Sequence, residues 1–430
     1  MIDLALLRDD PERFRRGAAR KRIAFDVDRT LALDAERRRL TTSREASKAE
    51  QNRLGKELGK LAGDAKVAAL ARLKALKEEV ERAETAVAPL EAEIQALLRQ
   101  APNPPSDEVP DGLTDADNVE VRRHGTPPTF SFPAKDHVDL LAGMDGLEVE
   151  RAGRIAGSRS YFLKGDAMML EQAVLRLGLD LIVSRGFTPL TVPVLVRESA
   201  LVGTAYFPGA EEQTYKIENP TFDDSTAWLV GTSEVSVTAL RGGEILDPKE
   251  LPLRYAGFSP CFRREAGTYG KDARGLYRVH QFTKVEQVIV DVADEARSRA
   301  HLEDIVKNAE DLLKALELPY RVVAVCAGDM GRGQVYKYDL EAWMPSRKGY
   351  GETHSASMFF DFQARRLDLR YRDEAGKVRT CHTLNNTVVA TPRILIAILE
   401  NHQRADGSIA IPKALVPYLG GRTELHPKAR

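Results

Sequence analysis

Cysteine is scarce in this chain. The three thiols, Cys261, Cys326 and Cys381, lie far apart with no C-x-x-C among them. That excludes a disulfide scaffold and a cysteine-rich zinc site, and it favours a reducing compartment. The eight histidines form no H-E-x-x-H. No run of about 18 apolar residues is present, so no membrane span is expected. The opening MIDLALLRDD has no basic stretch ahead of a long apolar run. No signal peptide is therefore expected, and the cytoplasm is the default location. Net charge is −1, so no general basic field announces nucleic acid, and any RNA contact must come from local patches. Two nucleotide signatures are missing as well. Gly267, Gly270 and Lys271 are spaced more closely than a G-x-x-x-x-G-K-[ST] loop, and Asp272 stands where Ser or Thr should follow. Gly331 and Gly333 lack the third glycine of a dinucleotide fingerprint. Any nucleotide must be held by side chains on a sheet.

What is present divides the chain into parts. Its 430 residues suit two or three domains. Asp10-Pro11 reads as a cap and first position of a short helix to about Arg20. Asp26 or Asp28 precedes a long helix with Leu33, Leu40, Leu54, Leu58 and Leu61 on its apolar face, broken at Gly63-Asp64. The next leg carries Leu73, Leu76, Val80, Ala83, Val87, Leu90, Ile94 and Leu97 at alternating steps of three and four, a heptad seam. Two such legs predict an antiparallel coiled-coil hairpin over about 30–99, each leg on the order of 45 Å long. Pro89 inside the second leg predicts a kink. The hairpin is either an oligomerisation rod or a reaching arm. Arg37, Arg38, Arg39, Arg44, Lys48, Arg53, Lys56 and Lys60 put cations on the first leg, a face able to follow phosphates without reading bases. The expected domains are 1–105, a proline-rich linker 106–118, and 119–430.

In the second domain, 166–185 predicts a helix with Met169, Leu170, Ala173, Val174, Leu177, Leu181 and Ile182 on one face, followed by a strand closing on Pro193. The stretch FRREAGTYGKDARGLYRVHQFTKVEQ (262–287) predicts two strands and a turn. His280, Phe282, Lys284 and Glu286 share one face of the second strand, with Phe282 and Glu286 about 13 Å apart. An aromatic ring, a carboxylate and cations on one cleft suit a base, an amine and phosphates. FFDFQARRLDLRY (359–371) predicts further strand. Thr391, Pro392 and Arg393 open an apolar helix, with Thr391 as its cap, and a helix N-terminus beside a guanidinium is an anion site. His354 and His382 are read as structural hydrogen-bonders or catalysts, with the first preferred.

FRREAG…RVHQFTKVEQ resembles motif 2 of the class II aminoacyl-tRNA synthetases, in the form found in the seryl-tRNA synthetase family. The 166–193 helix and strand resemble motif 1, TSE (232–234) the serine-binding loop, ETHS (352–355) the metal and ATP segment, and TLNNTVVATPR (383–393) motif 3. The resemblance implies an α+β fold: an N-terminal antiparallel coiled-coil helical hairpin that binds tRNA, plus a class II catalytic domain built on an antiparallel β-sheet flanked by helices. It implies a homodimer through motif 1, L-serine and ATP as substrates, Mg²⁺, and tRNA(Ser), with tRNA(Sec) left open. It implies Arg263 and Arg393 as catalytic cations, the first between the serine carboxylate and α-phosphate, the second on the γ-phosphate. Thr232, Ser233, Glu234, Arg263, Glu286, Asn385 and Thr387 would bind serine, Glu286 and Thr387 reading its hydroxyl. Arg263, Arg264, Glu265, Arg278, Val279, Phe282, Glu352, Thr353, His354, Ser355 and Arg393 would bind ATP, with adenine stacked on Phe282 and Arg393 over its other side. Glu352 and Ser355 would hold the metal. The family usually has Arg before that Glu, and this chain has Gly351.

Overall fold

The structure is a computed structural model, and it describes residues 1–218, 226–267 and 274–428. Gly270, Lys271 and Asp272 therefore lie outside the described residues. The chain divides into two compact units, 1–104 and 105–430.

The first unit is helical: α1 (Leu4–Asp9), α2 (Pro11–Arg20), α3 (Val27–Glu57) and α4 (Gly63–Gln100). Asp10 caps α2 by accepting from the Arg13 N–H, and Asp26 caps α3 by accepting from the Arg29 N–H. The break between the long legs falls at Leu61-Ala62, and Gly63-Asp64 open α4 rather than ending α3. Leu76, Val80, Ala83, Val87 and Ile94 bury along the predicted seam, but Leu98 replaces Leu97 as its most buried last residue. The facing leg is more polar than its leucines suggested. Asp34 is buried between Arg8 and Arg37, and Ser47 donates to Glu79 across the hairpin at 2.9 Å. Helix α4 continues through Pro89 to Gln100. Pro89 is exposed, so the Thr85 carbonyl it leaves without an N–H can meet water.

The second unit is built on eight strands: β1 (Val119–His124), β2 (Thr188–Thr191), β3 (Leu253–Phe262), β4 (Gln281–Asp291), β5 (Tyr320–Ala324), β6 (Tyr336–Met344), β7 (Gly349–Phe360) and β8 (His382–Ala390). They lie in the order β1-β5-β6-β7-β8-β4-β3-β2. Every pair is antiparallel except β2 with β3, which is parallel at one edge. Helix α5 (Asp166–Ser184) packs Leu170, Ala173, Val174 and Ile182 into the core with Val285, Ile289, Val388 and Val389 of the sheet. Full burial of each such aliphatic side chain contributes about 1.5–3 kcal/mol. Met169, expected on that inner face, is instead 45% exposed. Further helices are α6 (Glu198–Gly203), α7 (Glu234–Ala239), α8 (Glu295–Ala315), α9 (Phe362–Leu367) and α10 (Arg393–Asn401). Helix α9 corrects the expectation of continuous strand: β7 ends at Phe360, where Asp361 begins a helical turn.

Residues 106–118, expected as a spacer, are packed against the second unit. The Ser106 N–H donates to the Val335 carbonyl, Val109 is buried with Val325 and Met330, and the Ala327 N–H donates to the Pro110 carbonyl. Prolines leave this stretch extended, and its free backbone groups are satisfied by the neighbouring strand and turn.

Candidate active site

Strands β4, β7 and β8 present their polar face to a cavity open to solvent, with Arg263 and Glu265 just beyond the end of β3. Alternation along β4 sends Phe282, Lys284 and Glu286 into it and buries Val285 and Ile289 behind. In each of the two other central strands a β-bulge adds one more residue to the cavity wall. Between β6 and β7 the register moves from Leu340 opposite His354 to Glu341 opposite Glu352, leaving Thr353 as the extra residue. Ser355 and Ser357 face the cavity by strict alternation, and the bulge brings Glu352 to the same wall as well. Between β4 and β8 the extra residue is Val388. Asn385 and Thr387 line the cavity before it and Ala390 after it, while Val388 and Val389 both go to the core.

At one end of the cavity sit three ionisable groups withdrawn from water. Glu286 is 1% exposed and is paired with Lys284, itself 6% exposed. Thr387 Oγ1 donates to Glu286 Oε2 at 3.4 Å. Burial pushes the Glu286 carboxyl above its ordinary range, and Lys284, Thr387 and Arg263 draw it back. Glu234, at the start of α7, accepts from the Tyr206 hydroxyl at 2.9 Å and the Gln363 amide at 2.8 Å. Burial, then repulsion from Glu286, pushes its carboxyl up to about 7 against those two donors and Lys284. The Asn385 amide nitrogen is buried with no partner among the described residues. A carboxylate, a hydroxyl and an idle amide donor on one wall suit a small polar zwitterion.

The other end is cationic. Arg263 follows β3, its Nε donating to the Gly231 carbonyl at 3.4 Å and its guanidinium lying 5.2 Å from the Phe282 ring centre. Arg393, the first residue of α10, donates to the Glu352 carboxylate at 3.2 Å and carbonyl at 3.0 Å. It stacks on Tyr277, 4.3 Å from the ring centre, with Arg347 on the same ring at 4.2 Å. Desolvation in the cleft opposes charge on Glu352, but Arg393, Lys337 and Arg263 outweigh it and hold the carboxyl at about 2. Glu265 faces the same space and accepts from Arg278 at 3.3 Å.

Of the residues expected here, Glu234, Arg263, Glu265, Val279, Phe282, Glu286, Glu352, Thr353, Ser355, Asn385, Thr387 and Arg393 line one cavity. Five do not line it. Thr232 is buried and its hydroxyl accepts from the Glu234 N–H, fixing the turn rather than facing the cavity. Ser233 donates to the Gly257 carbonyl at 3.0 Å, which ties α7 to β3. Arg264 is exposed, and its N–H donates to the Gln213 carbonyl. Arg278 does not line the cavity but donates to Glu265, which does. His354 is buried between the Thr353 hydroxyl and the Val388 carbonyl, and burial lowers its pKa to about 4. His382 likewise bonds Ser298 at 2.9 Å, and neither histidine lines the cavity. Thr391 does not cap α10, because its hydroxyl donates to the Thr283 carbonyl at 3.2 Å and no side chain caps that helix. Lys284, Tyr206, Tyr277 and Gln334 were not expected as site residues and also line the cavity. Lys284 was legible from its alternation with Glu286 and Tyr277 lies within the same 262–287 stretch, whereas Tyr206 and Gln334 come from distant loops that no local pattern connects.

Gly351 sits at a close approach. A Cβ there would lie 2.9 Å from the Met344 sulfur and 3.1 Å from Tyr277. A larger residue therefore requires both to shift, and the Tyr277 ring under Arg393 occupies the ground in question.

Comparison with known proteins fits this geometry. Residues 215–402 match the family model for the class II tRNA synthetase core domain (G, H, P, S and T). Residues 1–105 match the seryl-tRNA synthetase N-terminal domain. The chain is 46% identical over 430 residues to a serine–tRNA ligase of Deinococcus radiodurans, covering 100% of both chains. It superposes on the crystal structure of seryl-tRNA synthetase from Pyrococcus horikoshii complexed with ATP, at a TM-score of 0.93 and 37% identity over 100% of both chains. It also superposes on a cytoplasmic serine–tRNA ligase from Naegleria fowleri in complex with AMP, at 0.88 and 29%, covering 100% of this chain and 99% of that one.

Proposed function

The chain belongs to the seryl-tRNA synthetase family, and from that premise we propose how its cavity works. It is an ATP-dependent ligase that activates L-serine to seryl-adenylate, releasing pyrophosphate, and then transfers serine to the 3′ end of tRNA. The first step is attack of the serine carboxylate on the α-phosphate of ATP. That carboxylate is already ionised, so no side chain has to act as general base. Two anions must meet, and catalysis rests on positioning and on charge stabilisation.

Arg263 is our candidate for the cation between carboxylate and α-phosphate, because its planar fork can hold both. Arg393 would receive the γ-phosphate at the positive end of α10, exchanging part of its bonding to Glu352 for it. Phe282 would carry adenine, with Glu265 at the adenine amino group. Glu234 would take the serine ammonium, and Glu286 with Thr387 the serine hydroxyl. The feature that carries this reading is the pairing of a desolvated Glu286–Thr387–Asn385 wall with two guanidiniums in the same cavity. Alanine would leave that wall unmatched, which in hydroxyl-reading sites rejects the analogue by ~10⁴ or more.

Glu352 and Ser355 offer hard oxygen donors on one wall, and Glu352 stays ionised, a donor set that fits Mg²⁺. When bound, such an ion neutralises charge on phosphate oxygens. The 1–104 hairpin would be the tRNA arm. Arg37, Arg39 and Lys48 are engaged with Asp34, Glu36 and Glu84, which leaves Arg38, Arg53, Lys56 and Lys60 exposed for phosphates. Homodimerisation would cover Ile155, Phe162, Met168 and Met169, which are 75%, 48%, 41% and 45% exposed. The cytoplasm suits three buried free thiols, and no helix is long and apolar enough to cross a membrane among the described residues. tRNA(Ser) is the proposed acceptor; charging tRNA(Sec) would follow if the arm and not the anticodon decides. The test is ATP–pyrophosphate exchange with each of the twenty amino acids: serine alone should support it, and strong exchange with any other would overturn the assignment.

A further inference from the structure

The FQAR segment of α9 has no part in the cavity, yet its Gln363 reaches the carboxylate at the cavity's end. Gln363 is fully buried. Its amide nitrogen donates to Glu234 Oε1 at 2.8 Å and to the Thr204 carbonyl at 3.1 Å, and its amide oxygen accepts from the Thr383 hydroxyl at 2.7 Å. The orientation is dictated by chemistry. Two of its neighbours are acceptors, so the NH₂ must face them. Helix α9 is in turn fastened to the α6 loop: Arg366 donates to the Val202 and Phe207 carbonyls at 3.0 and 3.1 Å. Gly203 lets Leu367 sit where a Cβ would be only 2.2 Å away. That same loop carries Tyr206, whose hydroxyl holds the second oxygen of Glu234 at 2.9 Å.

We propose that Gln363 is a positioning residue for serine: with Tyr206 it pins both oxygens of Glu234 and keeps that carboxylate ionised to receive the substrate ammonium. The inference rests on Glu234 being the ammonium site. Without the two donors a buried carboxylate beside a second carboxylate would take up a proton instead. The charged groups facing Glu234 are Glu286, which opposes its ionisation, and Lys284, which favours it, both from β4; Tyr206 faces it from the α6 loop. Arg263 adds positive charge near Tyr206. The Glu234 carboxyl already sits at about 7, so loss of one donor raises it further and leaves the group mostly protonated at pH 7.

Gln363→Met keeps the volume and removes the amide donor to Glu234, leaving that of Tyr206. At pH 7 the KM for serine should rise about tenfold, the cost of roughly one hydrogen bond to a charged group, while the KM for ATP stays within twofold. The acid limb of kcat/KM for serine, which reports the free enzyme, should move about one pH unit upward. Tyr206→Phe, on a separate element, should shift it in the same direction, so the idea survives a Gln363 variant that fails to fold. Equal rises in both KM values, or an unmoved acid limb in folded variants, would overturn the proposal. Glu234→Gln separates the two levels. If it leaves the serine KM unchanged, the ammonium assignment fails; if it raises that KM while Gln363→Met and Tyr206→Phe do not, only the positioning role fails.

Discussion

Replacing Glu286 and Lys284 together isolates the hydroxyl-reading wall from its own stability. Both side chains are nearly closed to water, at 2% and 7% exposure, and they pair directly. Glu286→Gln alone would strand the Lys284 ammonium, and breaking a buried pair from one side costs about 3–5 kcal/mol. Poor activity in that variant would therefore not speak to specificity. Glu286→Gln with Lys284→Met removes both charges and should recover most of the stability, since a buried pair replaced by matched neutral groups is often near neutral. Discrimination should not recover. The serine hydroxyl loses a bond to a charged acceptor, worth about 1.5–3 kcal/mol. Alanine no longer leaves a carboxylate unsatisfied, a relief of about 1–3 kcal/mol. The two effects add, so the serine-to-alanine ratio of kcat/KM should fall by ~10²–10⁴. Pyrophosphate exchange with each amino acid, alongside thermal melting, reads both quantities. A folded double variant with the original ratio would remove Glu286 as the hydroxyl reader.

Three further outcomes are expected. Gly351→Ala should cost about 1–3 kcal/mol by crowding Met344 and Tyr277, and should raise the KM for ATP by disturbing the ring under Arg393; an unchanged melt and KM would refute the close-packing argument. Neutralising Arg38, Arg53, Lys56 and Lys60 to Gln should leave serine-dependent exchange intact, weaken tRNA binding and lower its salt slope by about 0.7–0.9 for each phosphate no longer neutralised; an unaltered slope would place the tRNA elsewhere. Burial holds His354 neutral, with its pKa at about 4 rather than 6.5. The unfolded chain then binds the extra proton first, so this group's stabilisation is present above about pH 6.5 and lost as pH falls towards 4. His354→Gln should flatten that acid limb of the melting profile by up to ~3 kcal/mol, and an identical limb would show that the histidine does not drive it.

Local chemistry made much of this fold legible. Asp10-Pro11 and Asp26 announced their helices by capping, and the three-four spacing from Leu76 to Ile94 announced the seam. Alternation alone put Phe282, Lys284 and Glu286 on one face. What stayed hidden depends on partners across the sheet. An extra residue in one strand has no mark of its own, so the bulges at Thr353 and Val388 were invisible, although they decide that Glu352 and Ala390 face the cavity. Tyr206 and Gln363 are remote in sequence from Glu234, and only the fastening of α9 to the α6 loop brings them to it. The prolines of 106–118 read correctly as extended chain but said nothing of the strand and turn that would satisfy it.

The central claim is that one cavity, walled by β4, β7 and β8, holds the whole adenylate. A crystal structure with a sulfamoyl analogue of seryl-adenylate tests it most directly. The serine hydroxyl should lie within hydrogen-bond reach of Glu286 and Thr387, the ammonium at Glu234 and adenine on Phe282. An analogue seated with its hydroxyl away from Glu286, or its base away from Phe282, would contradict the account.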